Sequence, residues 1–224
     1  MSETTGETRG VAVGARGHGG DPVLDGRRER GRRTRESILS TAVDIASVEG
    51  LEGLTIGRLA AELGMSKSGL FAHFGSKEEL QLATIHAARE IFVAEVVEPA
   101  RAAERGLPRL QALLDAKLDY LRRGVFRGGC FFDAARLEYD SRHPGPVRDA
   151  ILDEFAGWSK LVTDCVRGAQ REGHIDPQAD PEQVAFELDA IGTAANLRMQ
   201  IRKDADGFAR AQQAIHDRLA ALAA

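Results

Sequence analysis

The chain is poor in cysteine and in large aromatics, with two cysteines, one tryptophan and two tyrosines in 224 residues. Cys130 and Cys165 are too few and too far apart for a disulfide framework or a zinc site, so both are read as reduced thiols. No apolar run approaches the roughly 18 residues that a membrane-spanning helix needs. The opening MSETTGETRG is polar rather than signal-like, and the expectation is a soluble, cytoplasmic protein with no membrane partner. There is no Gly-rich phosphate loop, no His-Glu-x-x-His, and no serine or cysteine in a nucleophile context. His86, His143, His174 and His216 are scattered and read as surface or satisfied side chains. No catalytic residue, metal or cofactor is expected, and the chain is not read as an enzyme. Nor does any stretch alternate as a strand does or repeat at solenoid spacing. The class is all-α.

What is present centres on Thr55 to Lys77, TIGRLAAELGMSKSGLFAHFGSK. Ile56, Leu59, Ala60 and Leu63 share one face of a short helix capped by Thr55 and ended by Gly64. Ser66 caps a second short helix whose apolar face is Leu70, Phe71 and Phe74. Two short amphipathic helices on a tight Gly turn read as a helix-turn-helix, which lays its second helix in the major groove. Ser66, Lys67 and Ser68 stand on the first turn of that helix, where unpaired N–H groups and the positive dipole end meet phosphate. They equally suit a solvated helix start. Ser76-Lys77-Glu78-Glu79 is a capping box for the next helix.

The run MSKSGLFAHFGSKEEL resembles the DNA-binding signature of TetR-family transcriptional regulators, and the likeness is specific from Arg33 to about Gln81. The family's usual run is Ser-Lys-x-Thr-Leu-Tyr-x-His-Phe, and this chain has Gly69 and Phe71 where Thr and Tyr are common. The resemblance implies that Ser66, Lys67, Ser68 and Phe71 face DNA, while Thr55, His73 and Lys77 position the phosphate backbone. It implies a three-helix DNA-binding domain, residues 33–78, and a helical effector-binding and dimerisation domain, residues 79–224.

Charge is divided along the chain. Residues 27–77 hold nine basic and six acidic side chains, net +3, against −2 before them and −5 after, for −4 overall. Such a positive module on an acidic body suits a protein that meets phosphate at one end. Residues 1–32 lack hydrophobic periodicity and read as a disordered tail. Its basic end, RRERGRRTR, offers Arg33 and Arg35 as an arm for phosphates or a minor groove, or else as a solubilising run. Thr34 would cap the first domain helix, with Ile38, Leu39, Ala42, Ile45 and Ala46 inward and Gly50 as stop. The helix from Ser76 runs near two dozen residues to Pro99, long enough for a lever between domains as well as for a core helix.

The body gathers its aromatics between Tyr120 and Trp158, where ordinary core packing and a ligand cavity predict the same residue types. With the resemblance, Tyr120, Phe131, Phe132, Phe155, Trp158 and Asn196 are effector-site candidates, and Asp133 and Arg136 are further polar anchors. The last helix steps through Phe208, Ala211, Ile215, Leu219 and Leu222 in a narrow seam, with Gly192 and small residues on the helix before it. Ile191, Ala195, Ile215 and Leu219 are therefore dimerisation candidates. The reading is a homodimeric repressor released from operator DNA by a small apolar or amphipathic effector. Two alternatives stay open: a thiol sensor using Cys130 and Cys165, and a helical interaction module that does not bind DNA.

Overall fold

Thr55, Ser66 and Ser76 each turn a hydroxyl onto a backbone N–H three residues on, those of Arg58 at 3.0 Å, Gly69 at 3.1 Å and Glu79 at 3.0 Å. Those caps divide the N-terminal half into short helices, because each satisfies a donor that the first turn leaves unpaired. The computed structural model describes residues 22–204 and 206–224, with side chains from residue 31 onward. It divides into two compact units, 1–34 and 35–224.

In the first unit, residues 1–21 of the expected tail lie outside the described residues. Residues 22–32 differ from that expectation: α1 runs Pro22–Gly53, so Thr34 lies within the helix and does not cap it. Arginine and glutamate are good helix formers, and backbone propensity extends a helix without any apolar stripe.

In the second unit, the α1 residues Ile38, Ala42, Val43, Ile45 and Ala46 are buried. Gly50 breaks the helix with φ 77° and ψ 164°, a left-handed backbone that favours glycine. Leu51 and Leu54 then drop into the core ahead of α2, Ile56–Leu63, and α3, Lys67–Phe74. Gly64 closes α2 at φ 63°. Helix α4, Lys77–Phe92, continues through a π-helical turn at Val93–Val97 into α5, Glu98–Arg101. The expected long helix is thus there, with a wide turn just ahead of Pro99, whose ring crowds the preceding carbonyls and which donates no hydrogen bond.

The body adds α6, Leu107–Arg123; α7, Phe131–Tyr139; α8, Pro146–Arg171; α9, Pro181–Arg202; and α10, Asp206–Ala220. Helix α8 packs on α4, α6, α7 and α9, while α10 packs on α9 and α6. Among the described residues there is no strand, only an isolated bridge between Ile175 and Ala223. The seam expected to form a dimer is closed within one protomer: Ala195, Ile215 and Leu219 are 3%, 5% and 2% exposed, and Ile191 is half-buried. Periodicity identifies an apolar seam but carries no information on whether the helix that fills it belongs to the same chain. The large apolar side chains left outside on α9 are Phe186, Leu197 and Ile201, at 69%, 50% and 71% exposed.

The body comes close to the DNA-binding helices at Gly128, whose N–H donates to Ser47 Oγ at 3.2 Å. A Cβ there would stand 1.8 Å from the Ser47 carbonyl oxygen, a contact with backbone that no rotamer relieves. Gly128→Ala is expected to lower unfolding free energy by about 1–3 kcal/mol. Chemical denaturation of both proteins measures it, and an unchanged midpoint would contradict the packing described.

Candidate nucleic-acid interface and internal cavity

Helix α3 buries Leu70 and Phe74 and leaves Ser66, Lys67, Ser68 and Phe71 exposed, Phe71 at 56%. A large aromatic kept in water on the outer face of a short helix is an apolar contact surface rather than core. Ser66 Oγ is occupied as a cap and lies 3.3 Å from Ser68 Oγ. A Cβ at Gly69 would come within 3.1 Å of Ser66 Oγ, so glycine leaves that cap uncrowded. Lys67 lies along the start of α2, its Cε 3.3 Å from where a Cβ on Gly57 would be. Thr55 is exposed and caps α2.

Three residues expected at the phosphates do something else or something more. Arg35 Nη1 donates to the His73 carbonyl at 2.6 Å, and its guanidinium covers the Phe74 ring at 4.5 Å. It ties α1 to the end of α3. His73 itself is half-buried, and it is its carbonyl that Arg35 grips. Lys77 Nζ donates to the Glu52 carbonyl at 2.9 Å and to Glu52 Oε2 at 2.8 Å, which commits it to the domain's own scaffold. Spacing places a cation near the groove side but does not reveal a carboxylate brought beside it from an earlier helix. Arg33 is exposed on the α1 segment of the first unit.

Behind this face, α7 grips the broken end of α1. The Glu138 carboxylate accepts the N–H of Leu51 at 2.8 Å and of Glu52 at 2.9 Å. Tyr139 donates its hydroxyl proton to Glu52 Oε1 at 2.8 Å, and Gln81 on α4 donates to the Leu51 carbonyl at 2.7 Å. The Lys77 hydrogen bond, then that of Tyr139, hold the Glu52 carboxyl down at about 2. Burial and the neighbouring Glu52 push the Tyr139 phenol up. None of Glu52, Gln81 or Glu138 was singled out by sequence reasoning. Only the Gly50 stop hinted that the end of α1 needed outside partners.

The other end of α7 walls a cavity of about 220 Å³ between α4, α6, α7, α8 and α9. Phe92, Phe132, Trp158 and Leu161 supply apolar walls; Phe92 meets Trp158 edge to face at 5.4 Å and Phe132 at 6.0 Å. Phe155 stands at the rim, 41% exposed, under the Arg136 guanidinium at 5.0 Å. Of the expected effector residues, Phe132, Phe155 and Trp158 line the cavity and Tyr120, Phe131 and Asn196 do not. Tyr120 and Phe131 are core, 1% exposed each, packed edge to face against Phe92 and Phe132 respectively. Asn196 braces the wall from behind, its Nδ2 donating to Asp133 Oδ2 at 3.0 Å and its Oδ1 accepting the Cys130 N–H at 3.3 Å.

Polar groups on the wall form one network. Asp189 accepts from Lys117 Nζ at 2.8 Å, Trp158 Nε1 at 2.7 Å and Arg136 Nη1 at 3.4 Å. Arg136 reaches on to Asp133 at 3.0 Å and donates to Thr193 Oγ1 at 2.7 Å. Burial raises the Asp189 carboxyl, but the Lys117 charge and hydrogen bond, with those of Trp158 and Arg136, outweigh it and leave the group below its ordinary value. Lys117 was missed because a lone lysine on an apolar helix stripe reads as a solvated side chain. Cys130 also lines the cavity, and burial, with Asp133 nearby, pushes its thiol up to about 12. Burial raises Cys165 as well. Thiolates suppressed in this way are poor nucleophiles, which weighs against the thiol-sensor alternative. Among the described residues no three potential ligands are grouped to hold a metal ion.

A helix-turn-helix with an exposed recognition face, set on a helical body with an internal cavity, defines a DNA-binding transcriptional regulator. Residues 38–84 match the family described as bacterial regulatory proteins, tetR family, and residues 106–215 the tetracyclin repressor-like C-terminal domain. The chain belongs to the TetR family of regulators, which are not enzymes. It is 27% identical over 184 residues to the HTH-type transcriptional regulator TcmR of Streptomyces glaucescens, covering 80% of this chain and 79% of that protein. To the HTH-type transcriptional regulator RutR of Escherichia coli K12 it is 27% identical over 156 residues, 68% of each. A TetR transcriptional regulator from Chloroflexus aurantiacus shares the fold with a TM-score of 0.80 at 24% identity, over 87% of this chain and 98% of that one.

Because folding lowers the Glu52 pKa, its stabilising contribution is complete above the ordinary value of 4.5 and drains away as pH falls toward about 2. Glu52→Gln should therefore melt below the wild type at pH 7, with the two melting temperatures converging as the pH is taken down through that window. A gap that persisted unchanged at the acid end would show that the charge of Glu52 is not what stabilises its contacts with Lys77 and Tyr139.

Proposed function

We propose that the protein is a homodimeric repressor that works in the cytoplasm and leaves its operator when a small amphipathic effector enters the cavity. The observation that carries this reading is the position of α7. Phe132, Asp133 and Arg136 on its first turns face the cavity, and Glu138 and Tyr139 at its end hold Leu51 and Glu52 of the DNA-binding domain. A short helix cannot shift at one end without shifting at the other, since rigid packed elements move as bodies. An effector that displaces Arg136 or Asp133 therefore reorients the recognition helix. With a conformational preference of about 1–3 kcal/mol the effector changes operator affinity 5- to 150-fold, and operator weakens effector binding reciprocally.

DNA contact is assigned to Ser66, Lys67, Ser68 and Phe71, with His73 at the edge and Arg33 as part of the basic stretch. Two such faces must lie about one helical turn, roughly 34–36 Å, apart to read successive major grooves. The second copy is placed against the outer face of α9, where Phe186, Leu197 and Ile201 repeat at helical spacing with Ala190 and Ala194 exposed between them. An apolar row of that kind marks an interaction surface.

Sedimentation tests the arrangement. Phe186→Glu combined with Ile201→Glu should convert a dimer to monomers and sharply weaken binding to a duplex selected by the wild type from random DNA, because linkage of the two half-sites is lost. Ile215→Glu should instead unfold the protomer. A double variant that still sediments as a dimer would move the interface off this face.

A further inference from the structure

We propose that the cavity takes a small aromatic oxyanion, a carboxylate or phenolate on one or two fused rings, with its charged oxygen on Lys117. This rests on the cavity being the effector site and adds the chemistry of the effector.

Lys117 stands in the middle of an apolar helix face with its side chain only 6% exposed. An ammonium carries three N–H donors, and burying one whose donors are unmet is costly. One donor goes to Asp189 at 2.8 Å, and on another side the cation faces the Trp158 ring at 4.5 Å. Nζ donates no further hydrogen bond among the described residues, so the ammonium retains donors for an acceptor brought in by a ligand.

The two carboxylates nearest Lys117 are better satisfied than it is, and the third is paired. Asp189 already accepts from Lys117, Trp158 and Arg136, Asp133 from Arg136 and Asn196, and Glu154 pairs with Arg89 at 3.2 Å. A cationic ligand would meet the Lys117 and Arg136 charges and use none of the donors that Lys117 retains, whereas an anion accepts from them.

Shape selects the rest of the molecule. Phe92, Phe132 and Trp158 present ring faces and edges to a space of about 220 Å³. That is below the roughly 300–1,000 Å³ of sites for drug-sized ligands, so a compact flat ring system suits it better than a long chain.

Three compounds of one ring size separate the possibilities: 1-naphthoate, naphthalene-1-methanol and 1-naphthylmethylammonium, titrated calorimetrically into the full-length protein at pH 7. Trp158 is the chain's single tryptophan, so its indole N–H resonance reports whether a bound compound is in the cavity. Naphthoate should bind about tenfold or more tighter than the alcohol or the amine, the effect of a hydrogen bond to a charged group. Lys117→Met should abolish that advantage while the alcohol still binds, and Lys117→Arg should keep it. Acid and alcohol binding equally, the amine binding best, or Lys117→Met keeping the preference would each overturn the oxyanion proposal and leave the cavity as a site. If none of the three binds, or if the Trp158 resonance stays still, both the proposal and the cavity's role as the effector site fail.

Discussion

The Glu138 carboxylate, holding the backbone N–H groups of Leu51 and Glu52, is the contact on which the placement of the DNA-binding domain depends. Gly50 turns the chain out of α1 with a left-handed φ, and the amides that follow have lost their helical acceptors. A charged acceptor satisfying two of them at once is a strong fixture. It is made from the body and not from the domain it fixes. A Cβ on Gly50 would meet that same carboxylate at 2.8 Å, so the glycine both makes the turn and leaves room for its lock.

Around that fixture the chain uses its polar side chains as internal ties. Lys77 and Tyr139 share the two oxygens of Glu52, Gln81 takes the Leu51 carbonyl, and Arg35 joins α1 to the end of α3. Two cations that would otherwise suit phosphate are thereby committed to the scaffold. The exposed part of α3 is left small and polar apart from Lys67 and Phe71. At the far end of α7 a second network, Asp133, Arg136, Asp189 and Lys117, encloses the cavity wall. One helix of nine residues thus carries an ionic cluster at each end. We propose that this is how occupancy of the cavity reaches the DNA.

Much of the fold was legible in local chemistry. Thr55, Ser66 and Ser76 cap the helices their positions predicted, and Gly64 and Gly124 end helices where the apolar periodicity stops. These features depend on neighbours within a turn or two, which sequence displays directly. Contacts between distant segments were not legible. Nothing in the spacing of Ile215 and Leu219 distinguishes a seam filled by α6 and α9 of the same protomer from one filled by a second copy. Tyr120 and Phe132 are both aromatic residues on amphipathic helices, yet one is core and the other lines the cavity. Lys117 and Glu138 are ordinary surface residue types until the fold brings carboxylates or amides to them. The start of α1 escapes hydrophobic periodicity for another reason, since arginine and glutamate favour a helix even where the sequence has no apolar stripe.

The central claim is that α7 couples the cavity to the DNA-binding domain, and it can be tested without knowing the effector. Arg136→Met removes the bonds from α7 to Asp189 and Thr193 at the cavity end and alters none of the bonds to α1. Amide hydrogen exchange at Leu51 and Glu52 then reads the other end. The coupling predicts that both amides exchange faster in the variant than in the wild type, while those of α10 are unchanged. Equal exchange at Leu51 and Glu52 in the two proteins would contradict it.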